Sequence, residues 1–132
     1  MFFICDTHDP DDLEFQMFPV HCVRGTEEAG VIPELTAFAG ELIRRRRYSA
    51  FFETDLDRRL AELNPEEVII CGVCTDICVM HTAADARNRD YAVEVPTDCV
   101  ATFESQAHSY ALRHMEKLLG ATLVNIGAPS PG

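Results

Sequence analysis

The sequence predicts an α/β protein with a mostly parallel sheet, and two observations predict it. Residues 67–73, EVIICGV, form an apolar run of strand length, followed at once by the helical pattern TDICVMHTAADAR. The β-rich YAVEV, a helical stretch over 105–119 and the apolar residues 121–126 continue the alternation. Strand, helix, strand, helix, strand in that order implies right-handed crossovers between parallel strands. Ligands of such sheets bind beyond the carboxyl ends of the strands. Three polar clusters fall at such ends: Asp6 to His8, Cys74 to Cys78, and Thr97-Asp98. They are expected on one rim.

Taken in order, Phe2-Phe3-Ile4-Cys5 reads as a short strand that ends at an Asp- and Pro-rich loop over 6–12. Pro19 to Val23 leads into a Gly-Thr turn. Residues 54–63, TDLDRRLAEL, begin with a Thr N-cap and place Leu56, Leu60 and Leu63 on one helical face. The near-continuous apolar EVIICGV predicts a strand buried on both faces. Thr75-Asp76 offers the next N-cap, and Ile77, Met80, Ala83 and Ala84 recur at helical spacing up to about Arg89. The strand from Tyr91 stops at Pro96, and the helix over 105–119 turns Ala111, Met115, Leu118 and Leu119 inward. The length of 132 residues suits one domain, 1–126, followed by a fraying tail, 127–132.

Composition narrows the partners. A net charge of −11 speaks against nucleic acid or an anionic membrane as the main partner. The one compact basic cluster, Arg44-Arg45-Arg46-Arg47, reads as a solvated or salt-bridged edge. No run approaches the ~18 apolar residues of a membrane span, and the opening MFFICDTHD has no signal-peptide pattern. A cytoplasmic protein with reduced thiols is expected. Of the six cysteines, Cys5, Cys71, Cys74 and Cys78 sit in apolar, strand-like or pre-helical contexts and read as small hydrophobes.

Two clusters carry possible chemistry. Cys78 falls in the first turn of a predicted helix, where unpaired N–H groups and the helix dipole lower a thiol pKa. The same N–H groups suit an oxyanion formed by attack on a carbonyl. Cys78 is therefore favoured as a nucleophile and Cys74 as a wall or backbone donor, against the plainer reading of two small core residues. Asp6 and His8, with Glu14 and His21 further on, make a borderline N/O donor set suited to Zn²⁺, Fe²⁺ or Mn²⁺. Loop carboxylates and histidines without a metal are the plainer alternative.

GVCTDICVMHTAADA resembles the nucleophile segment Gly-Val-x-Thr-Asp-x-Cys-Val of the isochorismatase-like cysteine hydrolases, and within them the nicotinamidases. The resemblance runs from Phe3 to Val124. It implies the Rossmann-like three-layer α/β/α fold of that family. It also implies Cys78 as nucleophile, a cis peptide between Val73 and Cys74, and the backbone N–H groups of Cys74 and Cys78 as an oxyanion hole. DTHDPDDLEFQMFPVHCVRGT resembles the nicotinamidase metal loop, which maps the ligands onto Asp6, His8 and His21, with Glu14 at the place of a fourth. Phe18 matches an aromatic that stacks on a pyridine ring. RYSAFFETDLDRRL resembles the family's Tyr-Ser-x-Phe segment and gives Tyr48 a place in substrate binding. Isochorismatases proper lack this metal set and the cysteine.

The implied reaction is hydrolysis of nicotinamide to nicotinic acid and ammonia, a step of NAD salvage, with a divalent metal, zinc foremost. The family triad is Asp, Lys, Cys. Its Asp lies in an Asp-x-Gln-x-Asp-Phe type segment upstream of the metal loop, and the chain is expected to lack that base with the family's first strand and helix. Arg45 stands where the family has Lys, and arginine supplies charge but hardly gives up a proton. Loss of a general base slows such chemistry by ~10²–10⁴-fold, so impaired hydrolysis is expected. Another amidohydrolase of the family and a non-catalytic relative are the alternatives, and a homo-oligomer is the expected assembly.

Overall fold

The computed structural model describes residues 1–127. The chain forms two compact units, Met1–Arg59 and Leu60 onward. The expected tail thus lies outside the described residues apart from Gly127.

In the first unit, β1 (Phe2–Asp6) pairs in parallel with β2 (Glu41–Arg45), with Ile4 opposite Ile43 and Asp6 opposite Arg45. Only β1 was legible in the sequence. In β2 the inward positions are Ile43 and Arg45, and a buried arginine breaks the apolar alternation by which a strand is read. Short 3-10 turns over Leu13–Gln16, Glu27–Ala29 and Pro33–Leu35 fill the long connection between the two strands. All four arginines of the basic run are engaged: Arg44 with Thr7 and the Ala29 carbonyl, Arg45 with Asp6, Arg46 with Glu53, and Arg47 with Asp12. The run is an internally paired edge.

α1 (Leu56–Leu63) follows, its Leu56 N–H accepted by the Thr54 hydroxyl at 3.3 Å. Leu56 and Leu60 are buried as expected, but Leu63, in the last turn, is 65% exposed.

In the second unit, β3 (Glu67–Ile69), β5 (Ala92–Pro96) and β7 (Thr122–Val124) form a parallel ladder with β5 in the middle. The central place of β5 explains why Val93 and Val95 are almost wholly buried. β4 (Gly72–Val73) pairs in parallel with β6 (Val100–Ala101). α2 (Met80–Asn88) and α3 (Ser105–Leu118) are the crossover helices. α2 buries Ala83 and Ala86, and α3 buries Ala111 and Met115, while Leu118 stays exposed.

EVIICGV departs from expectation. It is two strands separated by Ile70 and Cys71, the second opening on Gly72 at φ +120°, and it is not buried on both faces: Ile69, Cys71 and Val73 are exposed. β3 stands at the edge of its ladder, so neighbours flank its side chains from one side only. Among the described residues no helix is long and apolar enough to cross a membrane.

After β7 the chain is tied back by Asp98, whose carboxylate accepts from the N–H groups of Ile126 at 3.1 Å and Gly127 at 2.8 Å. These backbone donors, Gly127 first, hold the Asp98 carboxyl below its usual range.

Two outcomes are expected. Gly72→Ala forces a Cβ into a backbone region hostile to L-residues and lowers stability by about 1–3 kcal/mol in denaturant unfolding. The depressed Asp98 pKa makes its contribution present above the usual carboxylate pKa of about 4 and lost as pH falls through the lower folded value. Hydrogen exchange at Ile126 and Gly127 is therefore slow at neutral pH and speeds up in acid, and Asp98→Ala makes it fast throughout.

Candidate functional site: a buried donor cluster and a wide helical turn

The first unit carries the donor cluster. Strand β1 ends at Asp6, and the strand-like path continues as Thr7 N–H bonds the Arg45 carbonyl at 2.7 Å. His8 is then fixed by a parallel bridge to Val23, with its N–H on the Cys22 carbonyl at 2.9 Å and its own carbonyl accepting from Arg24 at 2.8 Å. This bridge brings His21 back to His8, their ring centroids 4.8 Å apart. Cys22 takes the left-handed conformation that the turn requires, φ +46°, held by its N–H on Glu28 Oε2 at 3.1 Å.

One donor atom each of Asp6, His8 and His21 lies within 4.8 Å of the others. His8 Nε2 is 3.9 Å from Asp6 Oδ2 and 3.2 Å from Glu14 Oε2, and His21 Nε2 is 3.7 Å from both. The four predicted ligands therefore converge. A tetrahedral ion with bonds of about 2.0–2.1 Å sets its ligand atoms about 3.3 Å apart, close to these spacings.

The hydrogen bonds around the cluster decide which ring nitrogens face inward. His8 Nδ1 bonds Asp12 Oδ2 at 3.0 Å and His21 Nδ1 bonds the Pro19 carbonyl at 2.7 Å. A carboxylate and a carbonyl only accept, so both Nδ1 atoms carry the proton and both Nε2 atoms present lone pairs. His8 Nε2 and Glu14 Oε1 are buried without a hydrogen-bond partner. Two lone pairs and two carboxylate oxygens thus face one another. With the rings neutral, one divalent cation would satisfy all four atoms. The donor set fits zinc, iron or manganese.

Arg45 does not stand free as a catalytic cation. It is buried in the same cluster, with Nη2 2.7 Å from Asp6 Oδ1 in a contact too poorly aligned for a hydrogen bond. Its other donors reach the carbonyls of Arg47 and Tyr48. Phe18 lies 6.4 Å from the His21 ring and 6.1 Å from the Tyr48 ring, both edge-to-face, so Phe18 borders the donors and Tyr48 packs against Phe18.

Sequence reasoning passed over Asp12 and Arg47. Asp12 accepts from His8 Nδ1 and from the Glu14 N–H at 2.8 Å, so one carboxylate orients two ligands. Arg47 Nη1 contacts both its oxygens, at 2.9 and 3.1 Å. Burial alone would raise the Asp12 carboxyl. The Glu14 N–H, His8 and Arg47 outweigh it and bring it down to about 2. The signal was present as an Asx turn, Asp12-Leu13-Glu14, four residues after His8.

The second unit carries the thiols. The peptide between Val73 and Cys74 is cis, as the resemblance implied. The helical chain beyond it starts with a π-wound turn, Thr75–Val79, before α2. The cap differs from expectation: Cys74, not Thr75 or Asp76, holds the N-cap place, and its side chain does not cap. Instead the Cys74 carbonyl accepts from both Ile77 and Val79 N–H groups at 3.1 Å. Thr75 and Asp76 turn outward to other partners, His108 and Thr102. Cys78 sits within this wide turn, a form that is frequent at functional sites.

None of the six thiols is bonded to another, and of the four expected as small core residues Cys5, Cys74 and Cys78 are half-buried and Cys71 is exposed. Burial pushes the Cys5 and Cys22 thiols up. Cys71 and Cys74 have C-x-x-C spacing, which the sequence reading missed, but the metal-type cluster among the described residues is Asp6, His8 and His21.

The comparisons with known proteins bear on both units. A profile described as the isochorismatase domain matches residues 2–126. The chain belongs to the isochorismatase family.

Among its relatives, the Bacillus subtilis isochorismatase family protein PncA is 37% identical over 127 residues, covering 88% of this chain and 69% of the relative. The Escherichia coli nicotinamidase is 35% identical over 130 residues, and the chain spans 61% of its length. The structure of a pyrazinamidase/nicotinamidase from Streptococcus mutans superimposes with a TM-score of 0.87 at 40% identity, over 93% of this chain and 74% of that one. The pyrazinamidase of Pyrococcus horikoshii, solved in complex with zinc, gives 0.84 at 28% identity over 95% and 74%. The fold of this isochorismatase-family chain is the parallel α/β hydrolase fold of these structures.

Removing the carboxylate that orients His8 and Glu14 is expected to weaken metal binding. Asp12→Asn lowers zinc affinity by roughly 10–100-fold in chelator competition, and His8→Ala, which deletes a ligand, lowers it further.

Proposed function

We propose that this chain is an amide hydrolase of the nicotinamidase type, forming a thioester on Cys78 from nicotinamide and releasing nicotinic acid and ammonia. The observation that carries the reading is the convergence of Asp6, His8, Glu14 and His21 with Phe18 and Tyr48 beside them. A metal donor set next to flat aromatic edges suits a heteroaromatic amide better than a purely aliphatic one. The zinc in a related pyrazinamidase supports the same choice of ion.

A divalent cation held by these four residues supplies Lewis acidity and an anchor for the substrate. Asp12 and the Pro19 carbonyl keep both imidazoles in the ligating tautomer. Arg45 lies against Asp6 Oδ1, which leaves Oδ2 turned to the imidazoles. Cys78 Sγ gives up its proton and attacks the carboxamide carbon, and the N–H groups of Cys74 and Cys78 are assigned to the oxyanion. The C–N bond breaks as the nitrogen takes a proton and leaves as ammonia. Water then cleaves the thioester and restores the thiol. Arg45, at the place of the family Lys, is excluded as the base that takes the thiol proton by its permanent protonation, and without the family aspartate hydrolysis is slow on this reading.

The test pairs turnover with a readout on the thiol itself. Zinc-loaded protein is expected to release ammonia from nicotinamide slowly but in preference to ureido or carbamoyl amides, and Cys78→Ala is expected to abolish that release. Nicotinamide is expected to protect Cys78 from iodoacetamide while leaving the exposed Cys71 and Cys99 unprotected. Equal ammonia release by the parent and Cys78→Ala, or no protection of Cys78, would overturn the reading.

A further inference from the structure

The turn that carries Cys78 is wound wider than an α-helix, and its shape is not fixed by a regular ladder of backbone bonds. The Cys74 carbonyl takes two N–H groups, those of Ile77 and Val79, and the Met80 N–H is shared between the Ile77 and Thr75 carbonyls. Shared acceptors of this kind leave the turn soft unless side chains brace it.

Two side chains do so. Thr102 Oγ1 donates to Asp76 Oδ1 at 2.6 Å, and Thr75 Oγ1 pairs with His108 Nδ1 at 2.9 Å. Thr75 is wholly buried, so its hydroxyl loses water on folding and a lost partner leaves it unsatisfied. His108 stands in the first turn of α3, its own N–H bonded to the Glu104 carbonyl at 3.0 Å. α3 thus offers a rigid post. Thr75 is gripped at both ends, its carbonyl by Met80 and its hydroxyl by His108.

We infer that His108 is a positioning residue for the proposed nucleophile, acting through the Thr75 hydroxyl to hold the wide turn in which Cys78 lies. The inference rests on the reading of Cys78 as nucleophile. His108 exchanges no proton with substrate; it sets the orientation of the turn and hence the presentation of the Cys78 thiol.

The experiment compares His108→Asn with His108→Gln. The Asn amide reaches the place of Nδ1 and can keep the bond to Thr75, whereas the Gln amide reaches the place of Nε2 and cannot. Alkylation of each thiol by iodoacetamide at neutral pH is followed by peptide mass spectrometry, with Cys71 and Cys99 as internal references and a melting curve for each variant. His108→Gln is expected to slow Cys78 about tenfold relative to the reference thiols, as for one lost buried hydrogen bond, and His108→Asn to restore it. Equal rates in the two variants, or a change at Cys78 that only follows the reference thiols, overturn the inference. If His108→Gln does not fold, Thr75→Val against Thr75→Ser makes the same comparison with the hydroxyl as the variable. A parent protein in which Cys78 reacts no faster than the reference thiols defeats the nucleophile reading instead, which separates the two failures.

Discussion

Four electron-rich atoms pointed at one another dominate the first unit: the Nε2 lone pairs of His8 and His21 and a carboxylate oxygen each from Asp6 and Glu14. Such a cluster is repulsive by itself, and burying it adds the loss of hydration. The surroundings are organised to tolerate this. Thr7, His8, Glu14 and Arg45 make up most of the buried polar residues described, and all belong to this unit. β2 exists as a strand with an inward arginine because Arg45 must reach Asp6. The long, turn-rich segment from Asp9 to Gly40 exists to return His21 and Glu14 to the end of β1.

The second unit places a thiol, Cys78, in an irregular stretch of backbone. A strand ends in a cis peptide, the next turn is wound wide, and only then does a regular α-helix begin. The cap residue of that turn, Cys74, contributes backbone and not side chain. The side chains that would ordinarily cap, Thr75 and Asp76, brace the turn from outside it.

What the sequence made legible followed from how local each feature is. Cys78 was singled out because strand end and first turn occupy a few consecutive residues, and the family pattern covers the same residues; the structure places it in that first turn. Asp6, His8, Glu14 and His21 were found by their residue types within one loop, and the structure brings them together. Arg45 was located but its role was not, since nothing in the order of residues says that it faces Asp6 across a strand pair. Arg47 was missed for the same reason, its partner Asp12 standing 35 residues away, whereas Asp12 carried a local signal in its Asx turn that went unread. The misplaced inward positions, Leu63 and Leu118, lie in the last turns of their helices, where periodicity continues but the packing partner has ended. EVIICGV misled because apolar composition reports what a strand tolerates and not how many neighbours it has.

The contact between Arg45 and Asp6 also limits what Asp6 can give. With Oδ1 facing a guanidinium that stays protonated at any working pH, Asp6 has one oxygen left for a ligand, Oδ2. His8 and His21 can each give one nitrogen, so these three residues would hold a divalent ion through three atoms, and Glu14 would supply a fourth. A water or substrate atom would then compete with Glu14 for its place.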